Sequence, residues 1–318
     1  MLDAIGNASK MARIATYVFL DLETTSIPRQ ELNKTRITEL SMVVVKRRHI
    51  LETRPGELPR VQHKLTMCFN PGRFVDPGAT EVSGLDNDLL EFETTFNIDV
   101  FNTINSFLEC QEKPVCLIGE NGLTFDFPIL KNHFEKLKVH LAEDVMCADS
   151  LYAFYDILKL SDVNQSVLNV LEELPNGQSS PIQSVGTVES QIDTSLNGTV
   201  KDCVILDEVD QINLSIQSED TPTGRLNQTK ITPKRLKDVK RKIFFGSDQK
   251  PNKSYKLKKI YERIMGRPGI DAHRAENDCV MTAEISTAKA EQFVKWVDHN
   301  HCPFSEVNAM RLGVPLGE

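Results

Sequence analysis

The stretch Tyr17-Val18-Phe19-Leu20-Asp21-Leu22-Glu23-Thr24-Thr25 limits what this chain can become more than any other. It opens as an unbroken apolar run, which fits a strand buried on both faces, and it closes with two acids one residue apart. Side chains on a strand alternate between faces, so Asp21 and Glu23 point the same way. A fold that takes this strand into its centre must deliver two carboxylates together at the strand's C-terminal end. Two readings fit these residues: an acidic turn closing an ordinary strand, or half of a metal site. Hard divalent cations take oxygen ligands, and Mg²⁺ is usually held by one or two carboxylates with water and phosphate.

Downstream, Ser26-Ile27-Pro28 turns the chain away. Residues 37–46 read as a second strand, 51–60 with Pro55, Gly56 and Pro59 as a loop, and Val61 to Phe69 as a third strand. Three strands joined by turns predict an antiparallel meander. Pro77 to Asp88 is polar and turn-rich. Thr94 to Cys110 carries Phe96, Val100, Phe101, Ile104, Phe107 and Leu108 at helical spacing. Val115 to Ile118 reads as a short buried strand, and Asp126 to Val139 as a helix with Pro128 in its first turn. A strand at Val145 to Cys147 and a helix at Leu151 to Leu158 follow. Helices are predicted again from Ser254 to Gly266, over Ala272 to Ala290 and over Glu291 to Asp298. Strands first and alternating helices later give a layered α/β domain.

Between the two halves the composition changes. Residues 161–224 hold eleven acids against the single Lys201, with Pro175, Pro181 and Pro222 and few aromatic residues. Such a segment lacks the apolar surface to offset its ordering entropy and is expected to be disordered. A long surface insertion is tolerated because closure cost grows only logarithmically with length. The charge then reverses: Lys230, Lys234, Arg235, Lys237, Lys240, Arg241 and Lys242 stand against Asp238. A solvated loop balancing the acidic stretch, a nuclear import signal around 233–242 and a phosphate contact all fit this run. The expected organisation is a flexible 1–15, a folded 16–160, an acidic-then-basic insertion over 161–252, a second folded part over 253–305 and a tail over 306–318.

The formal charge of −8 does not advertise nucleic-acid binding on its own. Seven scattered cysteines, none in a C-x-x-C pair, exclude a zinc ribbon and a disulfide framework. Reduced thiols in cytoplasm or nucleus are the expectation. No apolar run approaches the ~18–20 residues of a membrane span.

Two further acidic groups join the first. Gly119-Glu120-Asn121-Gly122-Leu123-Thr124-Phe125-Asp126 ends a strand, turns on glycine and sets Asp126 at a helix start, where an Asp also serves as an N-cap. Asp271-Ala272-His273-Arg274-Ala275-Glu276-Asn277-Asp278 places His273 near the start of a helix and Asp278 within it, with Glu276 a rival carboxylate on another face.

Taken together, these segments resemble the DEDDh 3′→5′ exonucleases, and among them the three-prime repair exonuclease family. The pattern D-x-E-x-T-x-hydrophobic-P is matched by Asp21, Glu23, Thr25, Ile27 and Pro28. N-G-x-x-aromatic-D-F-P-x-L is matched by Asn121, Gly122, Phe125, Asp126, Phe127, Pro128 and Leu130, and H-x-A-E-x-D by His273, Ala275, Glu276 and Asp278. Ala79 to Leu85 looks like the family's A-x-E-hydrophobic-x-G-L loop. The resemblance covers about residues 16–160 and 253–305.

The resemblance implies an RNase H-like α/β exonuclease fold, a mixed central sheet flanked by helices. It implies two Mg²⁺ ions, with Mn²⁺ as a substitute, held by Asp21, Glu23, Asp126 and Asp278. It implies His273 as the base that deprotonates the attacking water. Glu23, Thr24, Ile27, Val82, Phe125 and Asp278 would touch the terminal nucleotides, with Ile27 and Val82 as apolar wedges. The implied activity is release of 5′-mononucleotides from single-stranded or frayed DNA 3′ ends, in DNA repair or degradation. The implied assembly is a homodimer paired through edge strands, without a membrane anchor. An exoribonuclease of the same fold and a catalytically dead binding module are the alternatives. Glu120 stands where the family usually has His, and Ser26 where it usually has Gly.

Overall fold

The computed structural model describes residues 13–159, 233–239, 254–270 and 273–314. The expected acidic insertion and the basic residues 240–242 lie outside the described residues. All described residues belong to one compact unit.

The strand that ends in Asp21 and Glu23, β1 (Thr16–Thr24), sits in the middle of a six-stranded sheet of order β3-β2-β1-β4-β5-β6. β2 (Ile37–Lys46) and β3 (His63–Cys68) continue it as the expected antiparallel meander. β4 (Val115–Gly119) and β5 (Val145–Asp149) run parallel to β1 on its other side, and the two-residue β6 (Cys302–Pro303) closes that edge antiparallel. This is the mixed sheet that the resemblance implied, with helices on both faces.

Alternation along β1 divides the core. Val18, Leu20 and Leu22 pack on one face with Val100, Ile104 and Leu108 of α3 (Ile98–Glu109) and Ile129, Leu130 and Phe134 of α4 (Asp126–Leu137). Tyr17 and Phe19 pack on the other with α7 (Leu257–Met265), α8 (Ala275–Ala288) and α9 (Ala290–Asn300), through Ile260, Cys279, Met281 and Phe293. A helix over 150–159, α5, adds Ala153 and Phe154 to that second layer. Both faces of β1 are therefore apolar, which is why its sequence reads as a continuous run rather than as an alternation.

Two helices stand outside the stretches read as helical. α1 (Arg47–Glu52) follows β2 directly and buries only Ile50. α2 (Pro77–Ser83) occupies the polar stretch that read as turns. It buries no residue and is defined by its ends: Asp76 caps it by accepting the Gly78 N–H, Pro77 sits in its first turn, and Gly84 closes it in the left-handed conformation. Within the stretch expected as an insertion, the four-residue α6 (Leu236–Val239) docks on the C-terminal segment. The Lys234 N–H donates to the His301 carbonyl at 3.0 Å, the Leu236 N–H to Glu306 Oε2 at 2.8 Å, and Val239 is buried.

Candidate active site

Pairing of β1 with β4 runs from Thr16 to Phe19 and then stops, so the acidic end of β1 overhangs the C-terminal edge of the parallel strands. Ligands of open α/β sheets collect at such an edge. A cleft of about 690 Å³ lies there, and its walls include Asp21, Glu23, Asp126, His273 and Asp278. The three segments singled out in the sequence thus meet in one place.

Asp21 and Glu23 extend the Tyr17 and Phe19 series and so face the α8 layer. α8 supplies Asp278, and the turn before it supplies His273. One ligand atom each from Glu23, His273 and Asp278 lie within 4.8 Å of one another. Asp21 and Asp126 fall outside that tight trio. The His273 backbone is left-handed, φ 70°, a region in which non-glycine residues are uncommon. Its N–H donates to Asp278 Oδ2 at 3.1 Å, which ties the exposed histidine to the acid.

Asp126 enters from α4. The capping role that its position allowed is not the one it takes: Phe125 occupies the N-cap without a side-chain bond, and Asp126 is the first helical residue. Its Oδ1 instead accepts the Leu22 N–H at 3.1 Å, between the two acids of β1. The turn that presents it is held by Asp149, at the end of β5. Asp149 Oδ1 accepts from the Asn121 and Leu151 N–H groups at 3.1 and 3.0 Å, and Oδ2 from Leu123 N–H at 3.0 Å. The same turn needs a glycine at 122, because a Cβ there would lie 2.9 Å from both the Gly119 Cα and the Phe127 ring.

α8 is held from β2 and β3. Glu39, paired opposite Glu23 in the sheet, accepts the Ala275 N–H at 3.0 Å through Oε2. Lys64 of β3 pairs with Glu276 at 2.7 Å. That pairing accounts for Glu276, which does not line the cleft.

The cleft concentrates negative charge. Burial, then repulsion from Asp126, Asp278, Glu23 and Glu120, pushes Asp21 well above the usual carboxylate range. Burial, then Asp278 and Glu39, raises Glu23 to about 8. Burial, with Asp149 and Asp278, raises Glu120 to about 8. Asp126 is raised by burial and Glu120, and Asp278 by burial. Asp149 is raised to about 7 by burial, against the backbone donors that pull it down. Among the described residues, none of the ion pairs reaches Asp21, Glu23, Asp126 or Asp278. Asp278 Oδ1 is buried with no hydrogen-bond donor among the described residues. Oxygen donors in excess of protein cations, one of them orphaned, suit a hard divalent cation.

The other expected contacts also line the cleft. Thr24 is buried and donates to the Ser26 carbonyl, while Phe125 is half-buried. Ile27 and Val82 are 59% and 49% exposed, large apolar side chains standing free at the mouth. Val82 is carried by α2, which is tied to the end of β1 by the Asp76 N–H donating to the Thr25 carbonyl at 2.8 Å.

Sequence reasoning missed Asp149, Glu39 and the lysines at the start of α7 at this site. Asp149 had a readable signal, an acid ending an apolar run as Asp21 does. Glu39 had none, since its partner lies 236 residues away.

No family model matches the chain. Among curated proteins it is 37% identical over 152 residues to three prime repair exonuclease 2 of Mus musculus, covering 46% of this chain and 63% of that protein. It is 27% identical over 310 residues to three-prime repair exonuclease 1 of Bos taurus, covering 93% of this chain and 70% of that protein. The chain thus spans a little under two thirds of the first relative. Among solved structures, cell-death related nuclease 4 overlaps with a TM-score of 0.45 at 12% identity, covering 88% of this chain and 64% of that one. E. coli exonuclease I in complex with a dT13 oligonucleotide overlaps at 0.46 and 14%, covering 89% and 43%.

Proposed function

We propose that this chain, a sequence relative of the three-prime repair exonucleases, is a divalent-metal-dependent 3′→5′ exonuclease acting on DNA ends. The observation that carries the reading is the meeting of Glu23, His273 and Asp278 within 4.8 Å, in a cleft that Asp21 and Asp126 also line. An acidic turn closing an ordinary strand has no reason to collect two further acidic segments, one of them carrying a histidine, at one edge.

Asp21, Glu23, Asp126 and Asp278 would hold Mg²⁺. When bound, two such cations lower the pKa of a coordinated water and stabilise charge on the attacking and leaving oxygens. The chain's own groups do the rest. The exposed His273 imidazole accepts the proton of the attacking water at a ring nitrogen, and the bond from its backbone N–H to Asp278 holds its main chain beside the acids. Ile27 and Val82 press apolar surface against the terminal bases at the cleft mouth, and Phe125 lies beside the sugar or base. Thr24, held by its bond to the Ser26 carbonyl, sets the backbone that meets the 3′ end. Positioning of this kind holds the scissile phosphate beside the base that activates water.

A homodimer joined along β3 belongs to the same proposal. β3 is an edge strand, and its outer side pairs with no described strand. Sedimentation velocity at micromolar protein reads that state directly.

The test of activity uses paired DNA and RNA oligonucleotides, labelled at either end, with Mg²⁺ or EDTA. The expected result is Mg²⁺-dependent release of the 3′-terminal label as a 5′-mononucleotide, with stepwise shortening of the 5′-labelled strand. Internal cuts, or turnover in EDTA, would overturn the reading. The RNA arm reports sugar preference, because the phosphate chemistry is common to both.

A further inference from the structure

The cleft has a basic element that the acid chemistry does not use. Lys256, Lys258 and Lys259, at the start of α7, line it together with the acids. Their placement is unfavourable for the helix itself. A helix N-terminus carries partial positive charge and favours acids and side-chain caps. α7 has neither: its N-cap is Lys256, no side chain caps it, and no acid stands in its first turn. Lys259 pairs with Glu262 at 2.7 Å. Lys256 and Lys258 are exposed, and among the described residues no ion pair joins them to any acid. They stand clear of the carboxylates whose cleft they share. Sequences break local rules of this kind where a site requires it.

We propose that Lys256 and Lys258 bind backbone phosphates of the substrate strand, and so hold the strand against the acidic part of the cleft. This rests on the nuclease reading for its substrate. An anion at this position answers both features of the helix start, the clustered positive side chains and the uncapped N–H groups. It also answers a need along the strand. Metal held by Asp21, Glu23, Asp126 and Asp278 would offset their charge at the scissile phosphate alone; the phosphates further along the strand need cations of their own, which single-strand grooves generally supply along the backbone. Lysine suits the role as a flexible point charge that makes no demand on base identity.

The test measures binding of a fluorescent single-stranded DNA oligonucleotide by the full chain in Ca²⁺, with salt varied from 50 to 200 mM. The Lys256→Gln/Lys258→Gln variant is compared with wild type. Removing two phosphate contacts should reduce the slope of log affinity against log salt by about 1.4, so the wild-type advantage shrinks about sevenfold across that range. The Lys256→Arg/Lys258→Arg variant should restore the slope. The glutamine variant should melt no lower than wild type, since it relieves repulsion at the helix start. With Mg²⁺, its KM should rise while kcat holds. Equal slopes for wild type and the glutamine variant would overturn the proposal, as would failure of the arginine variant to restore the slope. Cleavage by wild type is scored in the same preparation. Its absence would count against the nuclease reading and leave the slope comparison intact.

Discussion

Removing metal should make the protein's stability fall as pH rises, and Mg²⁺ should reverse the effect. The folded chain gathers Asp21, Glu23, Asp126 and Asp278 with Glu120 beside them, each held above its ordinary range by burial and repulsion. An acid whose folded-state pKa exceeds its unfolded value binds more protons when folded. Stability is therefore greatest below the unfolded value, falls between the two, and levels off above the folded value. For Glu23 the window runs from 4.5 to about 8. A displacement of that size corresponds to about 5 kcal/mol for an isolated group. Taking about 2–5 kcal/mol for Glu23 alone as a floor for the cluster, the loss is roughly 5–15 °C in Tm for a domain of this size. Mg²⁺ at a hundredfold excess over its Kd adds about 2.7 kcal/mol. The gain should be near full at pH 8, where the acids ionise for the metal, and small at pH 5.5, where protons compete. Thermal melts at the two pH values, with EDTA or Mg²⁺, read all four states. The Asp278→Asn variant should melt higher than wild type in EDTA at pH 8 and lose most of the Mg²⁺ response. An EDTA melting temperature that stays level or rises from pH 5.5 to 8 would refute the buried acid cluster. Equal Mg²⁺ shifts at both pH values would refute carboxylates as the binding groups.

Replacing His273 with Ala should abolish most nuclease activity while the Mg²⁺-induced melting shift survives, because the metal is assigned to the acids; full activity would remove His273 as the base. Gly122→Ala should cost about 1–3 kcal/mol through overpacking against the Gly119 Cα and the Phe127 ring, read as a lower Tm, and should lower kcat by moving the turn before Asp126. Glu39→Ala should cost about 1–2 kcal/mol by leaving the Ala275 N–H without its acceptor. Glu39→Gln, which keeps an acceptor oxygen, should retain most of that stability. It should also lower the Glu23 pKa, because the repelling charge is gone; the mid-point of the pH-dependent melt reports this.

The central strand and the meander were legible because burial imposes a period on sequence. β1 is apolar on both faces, so it reads as a run, and β2 and β3 follow across turns marked by proline and glycine. α2 was not legible by the same criterion, since a helix that buries no side chain carries no apolar stripe. Its evidence lay at its ends, in Asp76, Pro77 and Gly84, where backbone groups are satisfied rather than where side chains pack. α1 is short enough that one buried residue, Ile50, fixes it, too little for a periodicity to register.

The acids of the site were legible one segment at a time, and the bonds between segments were not. Asp126 stood correctly at a helix start, yet its carboxylate also reaches across to β1, because the overhanging end of β1 leaves the Leu22 N–H without a strand partner on that side. Glu39 looked like any polar residue of a strand. It reaches α8 only because the antiparallel register that pairs Thr16 with Lys46 also sets Glu39 opposite Glu23. A shift of that register by one residue would turn Glu39 to the other face, away from α8 and the Ala275 N–H. The motifs thus carry the chemistry, while apolar residues far from them, through the register they enforce, decide whether the motifs meet.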